Sequence, residues 1–154
     1  MIYFATLLLT MVILPIVSIA SELAGNGTLI GFFAIASKWF VFWAVGVRLL
    51  LAGLMQLIKP GYTASAILGV DDVRAHVLVQ ELGCANLAMG AAGLLSLLIS
   101  SWVFPVAFVG AAFLGLAGLN HMRRPERNLR ENMAMASDLV AAFILFAAFL
   151  IAQF

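Results

Sequence analysis

The sequence predicts an all-α integral membrane bundle of five transmembrane helices, and three observations carry that prediction. Hydrophobic residues fill 65% of the 154 positions and charged residues only 10%, whereas soluble domains are roughly 45–50% apolar. The mean hydropathy is +1.15. The apolar residues also fall into stretches that match the ~20 residues a helix needs to cross a bilayer core. No soluble core of this length could hide so much apolar surface, so lipid is the expected solvent and residues 1–154 form one transmembrane domain.

The first stretch, residues 1–20, is apolar apart from Thr6, Thr10 and Ser18. Ser18-Ile19-Ala20 resembles a signal-peptide cleavage site, but no basic run precedes the apolar stretch, so a retained helix is expected. Pro15 should kink it, because proline lacks the amide hydrogen and crowds the preceding turn. Gly25-Asn26-Gly27 marks a turn within residues 21–28.

Residues 29–58 are too many for one upright span. Leu29–Ser37 is therefore expected at the interface, Lys38 at the boundary and the second span at 39–58. Trp39 and Trp43 suit an interfacial belt, and Lys59-Pro60-Gly61 stops the helix. Residues 62–70 read as a loop with one helical turn at 63–68. Asp71 or Asp72 then caps a third span at 72–99.

Ser100-Ser101 turns the chain into a fourth span at 102–120. Its small residues Ala107, Ala111, Gly115 and Gly118 form a packing stripe, and the third span offers Ala85, Ala88, Ala92 and Ser96. These stripes are expected to meet each other or, alternatively, to join a homo-oligomer. After a polar loop with Pro125, the fifth span occupies 128–153. The second to fifth spans form a four-helix bundle, to which the first is added.

Loop charge sets the expected orientation. Lys59, Arg74, Arg123, Arg124, Arg127 and Arg130 lie on one side, with Lys38 alone on the other. By the positive-inside rule the basic side is cytoplasmic, with the N-terminus inside and the C-terminus outside. Arg123, Arg124, Arg127 and Arg130 are expected to touch anionic lipids. A net charge of +1 with basic residues confined to loops gives no nucleic-acid face.

Polar side chains within the spans are the candidate functional residues, because lipid makes them expensive. Counted from the basic edge, Glu81 lies roughly 10 Å deep, Asp138 roughly 12 Å and Arg48 roughly 16 Å, at 1.5 Å per residue. Arg48 can snorkel back on its long stem, so all three can meet. Gln56, His121 and Asn132 lie nearer the mouth and Asn86 deeper. Helical phase places Arg48 with Gln56, Arg74 with Glu81, and Arg127 with Glu131 and Asp138 on single helix faces.

The expected site is thus a blind pocket open to the cytoplasm, with Arg48 as anion anchor and Glu81 and Asp138 sharing a proton. The alternative is a structural ion pair. The outer halves of the spans have Ser96 as their one polar side chain, which argues against a continuous ion path.

No residue is assigned a catalytic role. A phosphate loop, GxSxG, HExxH and a dinucleotide fingerprint are all absent. Cys84 is single, so it can form neither an internal disulfide nor a CxxC pair, and it reads as packing. No metal is expected, since His121-Met122 with Met133 and Met135 is ordinary composition for apolar helices.

The run from Arg48 through Ala52-Gly53 and Gln56 to Lys59-Pro60, followed by Glu81-Leu82-Gly83 and a glycine-rich helix, resembles the DoxX-like family of small bacterial membrane proteins. The likeness covers residues 39–149 and departs at Arg123–Asn132 and at Asp138. It implies a four-helix membrane bundle in a bacterial cytoplasmic membrane, with Arg48, Gln56 and Glu81 matching the family pattern. It also implies a quinone- or lipid-linked oxidoreductase subunit. The missing dithiol counts against thiol redox chemistry. From the residues alone, the expected function is binding or transport of a small polar or amphiphilic ligand, with a structural membrane partner as the further alternative.

Overall fold

A computed structural model describes residues 2–26 and 31–151. Five helices are long and apolar enough to cross a membrane: α1 (Tyr3–Gly25), α2 (Phe32–Ile58), α3 (Ala75–Leu95), α4 (Ser100–Met122) and α5 (Leu129–Ile151). No strand occurs among the described residues. The first helix runs on to Asn26, through residues where a turn at Gly25-Asn26-Gly27 was expected; Gly27 and Thr28, the interfacial Leu29 and Ile30, and the last residues of the fifth span lie outside the described residues.

Helix α2 is the hub. Buried residues make up 44% of its most apolar window, against 11% for α1, so α1 is a peripheral helix laid on α2. The core combines Phe40, Val41, Ala44, Val45 and Leu49 of α2 with Val106, Ala107, Ala111 and Leu114 of α4 and Ala141 and Leu145 of α5. Within α2 the segment Val41–Val47 is π-helical, a wider turn that often marks functional positions. Arg48 follows it directly.

A second π-helical segment, Leu9–Ile13, precedes Pro15 in α1. The expected disruption at the proline therefore takes the form of a widened turn, which accommodates the missing donor ahead of the ring. Residues Tyr62–Ile67, expected as a loop with one turn, form a third π-helical segment. Gly69, in a left-handed conformation with φ of 66°, follows it.

Helix α2 extends beyond the expected span and takes in Phe32–Ser37 and Lys38. The Lys38 ammonium is neutralised there: its Nζ donates to Glu22 of α1 at 2.6 Å. Trp39 Nε1 donates to the same carboxylate at 2.6 Å, and Trp43 Nε1 donates to Ser18 at 3.0 Å. These bonds fasten α1 to α2 at the end opposite the basic loops.

The expected pairing of α3 with α4 through alanine stripes is corrected. Helix α3 packs chiefly on α2, and α4 on α5, while α3 and α4 touch only sparsely. The reason is glycine. Gly83, Gly90 and Gly93 of α3 are buried against α2, whereas Ala85 and Ala88 point outwards. A Cβ on Gly53 would lie 2.7 Å from the Gly83 carbonyl oxygen, so the two backbones meet where no side chain stands between them. On α4 the stripe does pack, but against α5: a Cβ on Gly118 would lie 2.7 Å from Leu139 Cγ.

Asp72 caps the turn just before α3 rather than the helix itself. Its Oδ1 accepts the Arg74 backbone N–H at 2.9 Å, and its carboxylate pairs with the Arg74 guanidinium at 2.9 Å.

Candidate functional site

Two polar layers lie on the basic-side half of the bundle. In the first, Arg48 Nη2 of α2 donates to Asp138 Oδ1 of α5 and, at 3.1 Å, to Ser137 Oγ. Both charged side chains are about nine-tenths buried, at 9% and 10% relative exposure. Ser137 itself donates to the Ala134 carbonyl at 2.9 Å, as serines inside helices do. Arg48 is held where α2 leaves its widened turn, and Asp138 lies about two and a half helical turns into α5.

Gln56, two turns along the same face of α2, accepts a 2.7 Å hydrogen bond from Asn86 Nδ2 of α3. Gln56 and Asn86 are buried at 8% and 4% exposure. This pair sits beside the glycine contacts, so an amide–amide bond bridges two helices whose backbones approach closely. Among the described residues, two buried side-chain atoms, Arg48 Nη1 and Asn86 Oδ1, lack a hydrogen-bond partner. Buried orphans are uncommon because each forfeits its hydration without replacement.

The second layer is built around Glu131, which is 1% exposed. Its Oε1 lies 3.0 Å from His121 Nδ1 and 3.2 Å from Arg124 Nη1. The Asn128 side chain accepts the Glu131 backbone N–H at 2.9 Å, which caps the start of α5. Arg124 also donates to the Leu68 carbonyl at 2.7 Å, and Asn128 Nδ2 to the Ile67 carbonyl at 3.0 Å, so the π-helical segment 62–67 is tied to the α4–α5 loop.

Of the residues expected at one site, the structure joins Arg48 with Asp138 and Gln56 with Asn86. His121 joins Glu131 instead. Asn132 is exposed and accepts from Arg127 Nε at 2.9 Å.

Glu81 is the main correction. It is exposed on α3, with no hydrogen bond or ion pair among the described residues, and stands apart from the buried Asp138. The glycine face of α3 turns towards α2 and carries Glu81 to the opposite side. Arg74 and Glu81 do share a face, but an outward one. Arg127 stands outside α5 and binds the carbonyls of His121 and Met122 at 3.1 and 2.9 Å, capping α4.

Three contributors were not expected. Glu131 organises the second layer, and its spacing of seven residues from Asp138 was the available signal. Ser137 lies beside Asp138 in sequence. Tyr3 of α1 lies within electrostatic reach of Arg48 and Asp138, which no sequence spacing indicated.

Two clefts on the bundle surface are lined by apolar side chains. The larger, about 460 Å³, lies between α3 and α4 over Val45, with Ala88, Met89, Ala92, Val106 and Val109 on its walls. The smaller, about 320 Å³, lies between the 62–70 segment and α3. Neither reaches the polar layers, so the expected pocket opening at Arg48 is not formed by either. Among the described residues no three His, Cys, Asp or Glu side chains gather as a metal centre.

A family model described as a family of unknown function, DUF6790, matches residues 1–153. The chain belongs to the DUF6790 family. No curated protein and no solved structure matches it. For this DUF6790 protein, then, the chemistry has to come from the side chains. The Arg48–Asp138 pair is formally neutral, and it leaves one guanidinium donor free. It can therefore bind a hydrogen-bond acceptor without accumulating charge. An anion on the same donor would leave one uncompensated negative charge in a low dielectric.

Proposed function

We propose that this membrane protein binds the head of a neutral amphiphile at Arg48, through a carbonyl or hydroxyl oxygen presented to the free Nη1. The observation that carries the reading is the unpartnered Arg48 Nη1 beside an already paired Asp138. An acceptor there completes the guanidinium's hydrogen bonds. This narrows the anion anchor expected from sequence to an acceptor site, because Asp138 already neutralises the arginine.

The apolar cleft over Val45 stops short of Arg48; it favours an amphiphile over a compact polar solute, since a tail could lie there while the head parts the side chains between cleft and guanidinium. Val45 is one turn from Arg48 on α2, and the cleft opens sideways between α3 and α4. A ligand arriving from the bilayer would bring its tail with it. A quinone has carbonyl acceptors and an apolar tail, so the oxidoreductase subunit implied by the DoxX-like resemblance is one form of this proposal. A lipid ester is another.

The basic loops support placing their side of the protein at the cytoplasm, with exposed Arg123 and Arg130 turned to anionic lipids. Arg124 and Arg127 spend their donors within the protein.

Mass spectrometry of lipids and small molecules co-purifying with wild type and Arg48→Ala tests the proposal. The expected result is a molecule retained by wild type and lost from the variant. Identical co-purifying sets would remove Arg48 as an anchor. That outcome would leave the rival reading, favoured by the Asp138 contact itself, in which Arg48 and Asp138 simply lock α2 to α5.

A further inference from the structure

We infer that Ile2–Leu8, the basic-side end of α1, is a movable cover over the Arg48–Asp138 pair, with Tyr3 as the side chain that shields the guanidinium while no ligand is bound. The purpose of the cover rests on ligand binding at Arg48, whereas its motion does not.

Burial divides α1 lengthwise. Tyr3, Thr6, Thr10, Leu14, Ser18 and Glu22 recur at steps of three or four residues and are all buried or half-buried, whereas Phe4, Leu8, Val12 and Ile16 are exposed. The face turned to the protein therefore holds the hydroxyls of α1, which lipid would make costly to expose.

The two ends of that face are held differently. Glu22 binds Lys38 and Trp39, and Ser18 binds Trp43, so α1 runs antiparallel to α2 with its outer half packed on it. Carried along both helices, that register brings Thr10 level with Leu51 and Thr6 level with Met55, one and two turns past Arg48 towards the basic side. Tyr3 stands a turn further, and its phenol lies within electrostatic reach of Arg48 and Asp138. Yet among the described residues Ile2–Leu8 meets other parts of the bundle only sparsely. It is held there by side chains reaching inwards rather than by close helix packing.

A hinge lies between the two ends. Leu9–Ile13 is the widened turn, and Pro15 lacks the amide N–H that would close the ladder across it. Pro15 is fully buried and Thr10 is 3% exposed. The pivot is thus anchored in the bundle and the segment before it is not. Segments with few buried contacts open at small free-energy cost.

The phenol suits a cover. Its ring is apolar and keeps water from the ion pair, and its hydroxyl both donates and accepts. With Tyr3 in place, Arg48 Nη1 still has no bond, so a ligand head gains one as Tyr3 moves aside.

Ser137 reports on access, since its Oγ accepts from Arg48 Nη2 at 3.1 Å. With Cys84→Ser removing the single native thiol, a thiol introduced by Ser137→Cys should react slowly with N-ethylmaleimide. Adding Tyr3→Ala should quicken that reaction about tenfold, the ratio expected for loss of one aromatic contact. Tyr3→Phe keeps the ring and should stay near the starting rate. Phe4→Ala, on the exposed face, should not change it. Pro15→Ala restores the missing ladder donor and should slow the reaction.

A rate that Tyr3→Ala raises no more than Phe4→Ala would overturn the cover. Indifference to Pro15→Ala would do so as well, even where Tyr3→Ala failed to fold. Labelling needs no ligand, so the two readings separate. A molecule lost from Arg48→Ala, with labelling indifferent to Tyr3→Ala, removes the cover alone. Identical co-purifying sets with labelling quickened by Tyr3→Ala leave the cover and remove the ligand.

Discussion

Gly90 of α3 lies directly against the backbone of Leu50 in α2: a Cβ added there would stand 2.6 Å from the Leu50 amide nitrogen and 2.9 Å from its Cα. Backbone cannot move aside as a flexible side chain can. Gly90→Ala is therefore expected to destabilise by about 1–3 kcal/mol, the usual range for overpacking. Gly115→Ala is the matched comparison, since its Cβ would meet Ala142 Cβ at an ordinary 3.4 Å. Unfolding midpoints in detergent should fall clearly for the first and hardly at all for the second.

The Arg48–Asp138 pair should respond asymmetrically. Removing one partner leaves a buried charge alone, so Arg48→Leu or Asp138→Leu should each cost about 3–5 kcal/mol, while the double apolar variant recovers much of the loss. SDS titration of the solubilised protein measures all three. Single losses that simply add in the double variant would show that the two side chains do not act as a unit.

Glu131 should govern how tightly the α4–α5 loop is held. Its carboxylate collects His121 and Arg124, and Arg124 in turn holds the Leu68 carbonyl. Glu131→Ala leaves the His121 ring and the Arg124 guanidinium without their shared partner. Trypsin cleavage at Arg123, Arg124 and Arg127 should then quicken relative to wild type, as local opening becomes more frequent. An unchanged cleavage rate would show that the loop is held by its other bonds alone.

Asp72 gives a pH dependence with a definite sign. The Arg74 side chain, aided by the Arg74 backbone N–H, holds its carboxyl below the usual carboxylate value. A depressed native value stabilises the fold above the unfolded pKa of about 3.9, and that contribution is lost as pH falls through the native value. Wild type should therefore exceed Asp72→Asn in stability at pH 6, with the gap closing in strong acid. Unfolding midpoints measured across that range check it, and a gap that widens in acid would contradict the assignment.

Much of this could be read from sequence, because hydropathy counts spans and basic residues mark their ends. Arg48 and Asp138 were found by depth and periodicity, which work when a helix has one costly polar residue and one place to put it. Helix α3 defeated that reasoning. In lipid, apolar side chains are at home on either face, so its alanines carried no information about which side turns inwards. The inward face was decided by Gly83, Gly90 and Gly93, and Glu81 went to the other side as a result. Asn86, between the glycines, lies inside. Glu131 was seen on the right face of α5, but its role needed His121 and Arg124, whose approach depends on how the 123–128 loop folds back.

The widened stretch Val41–Val47 gives α2 a rotational setting that its residue count alone would not. An α-helix advances by about 100° per residue, so tightening that stretch by one residue's worth of winding would swing everything downstream around the axis. Arg48 would leave Asp138, Gln56 would leave Asn86, and Gly53 would no longer face Gly83. Upstream, Lys38 would keep its hold on Glu22. The stretch therefore acts as a clutch plate between the two ends of α2: its winding decides whether the anchored end and the polar end engage their neighbours together.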